Sequence, residues 1–438
     1  MSRLTANASL PLFALALTFA ACGGKGSDTP SDDVKPYQGT HAQTKLMGTN
    51  DNAEVIRALP NSNKVLLLSS KARKLTLLEI DGARLSVLAE KVLFPEDSSE
   101  SELTNLAIAP DSAYAVATRT IITTGADGEQ TNCGGELVFI DIAAGAAFGT
   151  ILQQLAVGPM PDAVAISDDG RFAVSADERD GPDAWGKCEV LGKTASISVI
   201  QIGEGGPASA RVFRQITMID EVGVGPREPE SVAISKDSDR VVVTLQDSHE
   251  LAIFDISALP DEAQLTSEHA AVKIVKLPPN DLGAFPWPDG VLVFDDADGQ
   301  EFFAIAGEWN DRLIVVDRDG TAIANEELSP RQLPESLPRV VDSGSPLFSP
   351  DSLAGFTYDG VPYLAVTLRH SGAVAFYDVS NAAAPAYRSA VKVGQNEQGG
   401  IDEDGSTVRP EGICAASDGR FVATANEGES SVSLILPE

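Results

Sequence analysis

Five copies of one short unit place an acid in the same setting: Pro161-Asp162-Ala163-Val164, Pro229-Glu230-Ser231-Val232, Pro288-Asp289-Gly290-Val291, Pro350-Asp351-Ser352-Leu353 and Pro410-Glu411-Gly412-Ile413. Carboxylates repeated in this way have two uses. Gathered round a common axis they form a polar funnel; taken singly, each proline fixes φ and each acid accepts from nearby backbone N–H groups, which makes a turn. A ligand site draws different residues from each repeat, so the shared acids read as turn devices. The residues that are not repeated, Arg369, His370, Trp309, Glu178 and Glu427, are the candidate ligand-binding residues.

Other chemistry is thinly represented. Four cysteines, Cys22, Cys133, Cys188 and Cys414, show neither Cys-x-x-Cys nor Cys-x-x-Cys-His, so no zinc or haem signature appears. The acidic runs DDADGQE at 295 to 301, VDRDG at 316 to 320 and IDEDGS at 401 to 406 carry Asp-x-Asp-Gly, but none continues into a twelve-residue calcium loop with its final glutamate. Asp-Gly turns between strands account for them. There is no nucleophile elbow and no zincin helix. Four histidines, His41, His249, His269 and His370, leave little for a histidine-based site. No catalytic residue, metal ligand or cofactor is therefore assigned.

The first 22 residues, MSRLTANASLPLFALALTFAAC, combine an early Arg3, an apolar run from Leu10 and small residues before Cys22, the pattern of an export signal. Phe19-Ala20-Ala21-Cys22 resembles a bacterial lipobox, with Phe19 where that pattern prefers Leu. The resemblance implies lipidation of Cys22 and an exported lipoprotein held at a membrane, with Gly23 leaning toward the outer membrane on its periplasmic or cell-surface side. A plain secretory signal is the alternative. Residues 23–40, beginning GGKGSDTPSDDVKP, are small, polar and without aliphatic periodicity, and read as a flexible tether. Anchoring is expected through the lipid alone. The net charge of -32, from 64 acidic and 32 basic residues, argues against nucleic acid as a partner, whose phosphates need Lys and Arg. Its even spread reads as a solvated, self-repelling surface, and a monomer is expected.

The elements that must position the candidate residues come from the repeat itself. The five units begin at 161, 229, 288, 350 and 410, spacings of 68, 59, 62 and 60, and two weaker copies start at Leu103 and Ala53. Each continues through a short apolar strand, a turn such as SDDG or ASDG, a second strand such as RFAVSA or RVVVTL, a polar loop and a third strand. The third strands are KLTLLEI, GELVFIDI, SISVIQI, ELAIFDI, RLIVVDR, AVAFYDV and SVSLIL. A fourth strand follows in RLSVLAEKVLF, FGTILQQLAVG, RVFRQITMI, AVKIVKL and YRSAVKVG; after the fifth copy it is indistinct. Four strands per unit, seven units and no long helix predict an all-β, seven-bladed β-propeller with four-stranded antiparallel blades over residues 41–438. The last unit has only three strands, and HAQTKLMG ahead of the first should supply its missing one.

From about Lys45 onward these units resemble the YVTN-type repeat of lactonase-like and surface-layer propellers, in which proline, a small residue and an aliphatic strand lead to a Ser-Pro-Asp-Gly turn, a second strand, Asn and a Val-rich third strand. The turn here is Ser-Asp-Asp-Gly or Ala-Ser-Asp-Gly, and only the last copy keeps the asparagine, at Asn426. The resemblance implies the fold; it is poor for activity. Similar folds host lactone hydrolysis with acid, Arg and His side chains near the axis, so a lactonase-like hydrolase with a site at the channel mouth is one reading. The other, preferred here, is a non-catalytic binding module for a protein, polymer or small-molecule ligand.

In such a blade, the start of the first strand and the loop between second and third share one face of the ring. The repeated acids would then share a rim with Glu178, Asp247, His249, Glu308, Trp309, Arg369, His370, Asn426 and Glu427. Cys133 and Cys188 fall in the two longest second-to-third-strand loops, on adjacent blades, which makes a disulfide plausible in an exported chain; two exposed thiols are the alternative. Cys414, inside a first strand, reads as a buried small apolar residue.

Overall fold

The computed structural model describes residues 36–48, 51–96, 101–124, 130–179, 192–280, 283–327, 337, 340–342, 345–395, 401–402 and 405–438. Seven sheets of antiparallel strands stand in sequence order. Their first strands are Ala53–Ala58, Leu103–Ile108, Pro161–Ile166, Pro229–Ile234, Pro288–Asp295, Pro350–Tyr358 and Pro410–Ala415. Each packs against the first strand of the next sheet and the seventh returns to the first, so the seven blades close a ring. The described helical residues are confined to four single turns of 3₁₀ helix.

The alternation of the sequence explains the packing. Each blade buries both faces, and the core is divided into seven apolar layers, one between each pair of neighbours. The layer between blades 3 and 4, for example, joins Val174, Ile197 and Val199 to Val241, Val243 and Phe254. A blade cannot be removed without exposing two layers.

Closure follows the expectation. Gly39–Leu46 pairs antiparallel with Ser431–Pro437 at the outer edge of the last blade, in a register that sets Thr40 opposite Leu436 and Lys45 opposite Val432. Tyr37 is fully buried among Phe356, Tyr358, Tyr363 and Phe376, with ring centroids 4.9 to 5.7 Å away, and its backbone N–H donates to the Tyr363 hydroxyl at 3.0 Å.

Two strands lie where the sequence was indistinct or silent. Ala322–Glu327, AIANEE, is the fourth strand of blade 5, too polar and short to signal itself. Gln264–Thr266, from the long connection in blade 4, adds in parallel to the outer edge of blade 3 and covers it. Cys133 is buried and disulfide-bonded, and it lies in a strand, Gln130–Asp141, rather than in a loop. Its expected partner Cys188 lies outside the described residues, as does Cys22. Cys414 is a buried free thiol.

The closing strand should carry measurable stability. Tyr37→Ala is expected to cost about 3–5 kcal/mol in denaturant unfolding, as truncating a buried aromatic does. Tyr37→Phe should be neutral or stabilising, because the buried hydroxyl has no hydrogen-bond partner among the described residues. Equal losses in the two variants would show that Tyr37 does not act by packing.

Candidate functional site

The repeated proline-acid unit is a β-bulge. In each of the seven blades the register between first and second strands slips just after the leading residue, leaving one extra residue on the first strand. The residue in that slip is Glu54, Thr104, Asp162, Glu230, Asp289, Asp351 or Glu411, and all seven line one central cavity of about 700 Å³. Threonines on the second strands satisfy the freed backbone. Thr244 accepts from the Ser231 N–H at 2.9 Å and donates to the Asp289 carbonyl of the next blade at 2.9 Å. Thr367 likewise accepts from the Ser352 N–H at 2.9 Å and donates to the Glu411 carbonyl at 3.4 Å. The small residue after the acid is where blades approach most closely: a Cβ on Gly290 would stand 2.4 Å from the Asp351 carbonyl oxygen, and one on Gly412 2.3 Å from that of Glu54.

A second tier sits above this ring. In six blades the first residue after the second strand, and in blade 2 Thr120 within the longer strand Tyr114–Thr124, donates its N–H to the carbonyl just before the first strand: Ser70 to Asn52, Thr120 to Glu102, Glu178 to Met160, Gln246 to Glu228, Glu308 to Trp287, Arg369 to Ser349 and Glu427 to Arg409. One backbone bond thus holds seven different side chains at equivalent positions. In blades 4 to 7 a four-residue turn begins there and ends in the left-handed region, at His249, Asp311, Gly372 and Ser430, with φ of 61°, 52°, 58° and 48°. Its second position carries Trp309 in blade 5 and His370 in blade 6.

The site is therefore two-tiered, with an almost uniform acidic tier below a varied one. Four of the five candidate residues converge. Arg369 pairs through Nε with Glu411 at 2.8 Å, and its other nitrogens lie 3.4 Å from Glu308 and 3.9 Å from Glu427. His370 is buried and meets Trp309 edge to face at 6.1 Å. Glu178 stands apart, in blade 3, where its charge acts on Glu230. Reading the repeated acids as simple turn devices requires correction: they form the bulge and also converge on the axis. Glu54 went unnoticed because its copy lacks the proline.

Burial dominates the electrostatics. It pushes Glu54 up to about 8, against a hydrogen bond from Ser70 and with repulsion from Glu427 and Asp162. It pushes Asp351 up to about 7, against the attraction of Arg369. Glu230, Asp289 and Glu411 are held well above the usual range by burial, and then by the charges of Glu178 and Asp162 at Glu230, of Asp351 and Glu230 at Asp289, and of Asp351 and Glu54 at Glu411, where Arg369 opposes the shift. Glu308 is raised by burial despite Arg369 and hydrogen bonds from Ser349 and Trp309. Only Glu427 falls below its ordinary value, because hydrogen bonds from Glu411 and Asn52 and the charge of Arg369 outweigh its burial. The cavity lining as described holds eight carboxyl groups, Glu54, Asp162, Asp168, Glu230, Asp289, Glu308, Asp351 and Glu411, against two guanidiniums, Arg57 and Arg369. Among the described residues, no three His, Cys, Asp or Glu side chains are arranged to hold a metal ion.

These shifts fix the sign of a pH dependence. An acid whose pKa is raised by folding binds its proton more tightly in the folded chain, so its contribution is present below the ordinary carboxyl range near 4 and is lost as pH climbs through the folded value. With Asp351 near 7 and Glu54 near 8, stability should fall from pH 5 to pH 8.5. The Asp351→Asn, Glu54→Gln double variant should flatten that fall in thermal unfolding followed by circular dichroism. An unchanged slope would show that these two groups do not titrate in this window.

Comparisons with known proteins agree on the architecture. A family model described as the choice-of-anchor I domain matches residues 54–261, and no curated protein matches the chain. Among solved structures, the chain is similar to the periplasmic gluconolactonase PpgL of Pseudomonas aeruginosa, with a TM-score of 0.57 at 16% identity over 87% of this chain and 90% of that one. It is similar to the hydrazine synthase of Kuenenia stuttgartiensis, with a TM-score of 0.55 at 14% identity over 89% and 96%, and to the WD40 repeats of RRP9, with 0.57 at 11% over 92% and 100%. At these identities the likeness is one of fold, and the chain is a seven-bladed β-propeller whose first half matches the choice-of-anchor I description.

Proposed function

We propose that the protein is an exported recognition propeller that captures a ligand at the channel mouth without transforming it. The observation that carries this reading is the state of Arg369. Its guanidinium is shared by Glu308, Glu411 and Glu427, so the strongest positive group at the mouth is already neutralised. Opening a lactone builds negative charge on oxygen in the transition state, and preorganised donors or cations must receive it. A cavity with eight carboxyl groups and two guanidiniums opposes such charge. The same cavity suits polar or cationic ligands, and the varied upper tier supplies the differences between blades that a specific site needs.

Anchoring is part of the proposal. The export signal and Cys22 support a lipid-anchored, outer-membrane form facing the periplasm or cell surface. The matched family's anchor description fits a protein held at a surface, and no helix among the described residues is long and apolar enough to cross a membrane. Cys22→Ala should release the protein from the membrane fraction; unchanged fractionation would overturn the lipoprotein assignment.

A second reading, a lactonase-like hydrolase, draws on one feature: Asp351, with its pKa near 7, is suited to act as a general base beside Arg369. The two readings separate experimentally. A thermal-shift screen of polymers, peptides and small molecules should yield a ligand whose stabilisation is lost in Trp309→Ala, a change at a side chain 44% exposed that should leave unliganded unfolding unaltered. Arg369→Ala and His370→Ala are poorer probes, since one strips a buried carboxylate cluster of its counter-charge and the other empties a buried position. Lactone turnover by the purified protein that disappears in Asp351→Asn would replace recognition by hydrolysis.

A further inference from the structure

One feature of the mouth is not explained by the acidic tiers. A row of rings follows the rim from blade 4 to blade 6: Phe285 stacks on His249 at 5.7 Å, His249 meets Trp287 at 5.8 Å, Trp287 meets Trp309 at 6.5 Å and Trp309 meets His370 at 6.1 Å. Rings come from different sources. Phe285 and Trp287 precede the first strand of blade 5, while His249, Trp309 and His370 occupy the second-to-third-strand turns of three successive blades. His249 takes the left-handed turn position that Gly372 fills in blade 6, so the backbone does not demand its ring there. Trp287 and Trp309 remain 37% and 44% exposed, which is costly for large apolar surfaces that could have packed inward.

The geometry selects the ligand class. Trp287 and Trp309 are inclined at 67°, so they wall a corner instead of forming the coplanar platform on which a sugar ring stacks. A corner of indole faces beside carboxylates suits an organic ammonium, attracted both by the ring quadrupoles and by the acids. The row already holds one ammonium: Lys276 Nζ lies 4.4 Å from the centroid of Phe285. The inner end of the row is joined to the acidic tiers, because Trp309 follows Glu308 in sequence and hydrogen-bonds to its carboxyl. Beyond that point, carboxyl groups continue round the cavity on every blade except the one bearing Thr104.

We propose that the aromatic row and the acidic mouth together bind a linear aliphatic polyamine, one ammonium seated in the Trp287–Trp309 corner and the others extending over the carboxylates toward the axis. A polycation is favoured over a single ammonium because the carboxyl groups continue round the cavity from Glu308 and offer partners for further ammoniums. This inference rests on the recognition reading and specifies its ligand.

The test is isothermal titration of the full-length mature protein with spermidine, alongside tetramethylammonium and a neutral oligosaccharide. Two of the three tryptophans of the chain are in the row, so quenching of tryptophan fluorescence gives an independent readout. Spermidine should bind more tightly than tetramethylammonium, with affinity falling as salt is raised. Trp309→Ala and Trp287→Ala should each weaken it about ten-fold, and Glu308→Gln should weaken it without altering the fold seen by circular dichroism. Absence of spermidine binding at millimolar concentration, or binding indifferent to both tryptophan variants, overturns the inference. If the neutral oligosaccharide binds instead and Trp309→Ala abolishes that binding, the polyamine assignment fails while recognition at this face stands. A lysine-rich peptide that binds through the two tryptophans where spermidine does not would likewise overturn the small-ligand assignment.

Discussion

Circular closure is the constraint on which everything else depends. Every apolar layer of the core lies between two blades, so each blade is stable only when both neighbours are present. The last blade meets this demand by borrowing Gly39–Leu46 from the opposite end of the chain, and Tyr37 extends the tie into the layer between blades 6 and 7. Closure in a blade made from both ends also pairs the outer edge of Ser431–Pro437, which a three-stranded blade would leave open.

Crowding at the axis follows from closure, and the site follows from crowding. Seven first strands meeting at a narrow channel can approach only where side chains are small, as at Gly290 and Gly412 against the carbonyls of the next blade. The bulge then turns the neighbouring residue into the channel and uses a threonine of the second strand to satisfy the backbone it frees. Acids delivered in this way are desolvated by the scaffold itself. Their raised pKa values are a consequence of position, shared by Glu230, Asp289 and Glu411 alike, before any ligand is considered.

Much of this was legible in the sequence because the repeat is periodic. The third strands, the blade count and the closing strand all come from hydrophobic alternation and a missing fourth strand. Arg369, His370, Trp309 and Glu427 could be singled out because they interrupt the repeat where a loop should lie. What escaped has equally physical reasons. Glu54 occupies the bulge without a proline, so no local signal marked it. Trp287 sits one residue before a proline-acid unit and reads as part of the connection. The bulge is a slip in pairing between two strands, which no single strand displays. Asp177 is instructive too: it ends the second strand of blade 3 where Asn426 ends that of blade 7. Burial pushes it up to about 6 even though Ser175, Ser196, Ser198 and the Gly158 N–H all donate to it. Asn426 accepts from Thr424 and donates to Ser431 and Ser433 at the equivalent place. The asparagine of the repeat pattern is thus replaced in blade 3 by an acid that gathers the equivalent serines, whose hydroxyls donate instead of accepting.

The two tiers separate what the fold requires from what a ligand would distinguish. The lower tier is almost uniform because every blade needs the bulge, and burial raises the pKa of its acids in one blade after another, so it does little to distinguish the blades. The upper tier is held by one backbone hydrogen bond per blade, a contact indifferent to the side chain, so serine, threonine, glutamine, glutamate and arginine all occupy it. Substitution there changes the chemistry of the mouth while leaving the ring intact. Arg369 shows how far this freedom extends: a cation at one of seven equivalent positions gathers three carboxyl groups from blades 5 and 7, and it does so beside His370, the next residue of its own turn, and Trp309, at the corresponding position of the blade 5 turn. The asymmetry of the mouth therefore arises from consecutive residues of a few turns, each carried by a blade whose geometry does not depend on them.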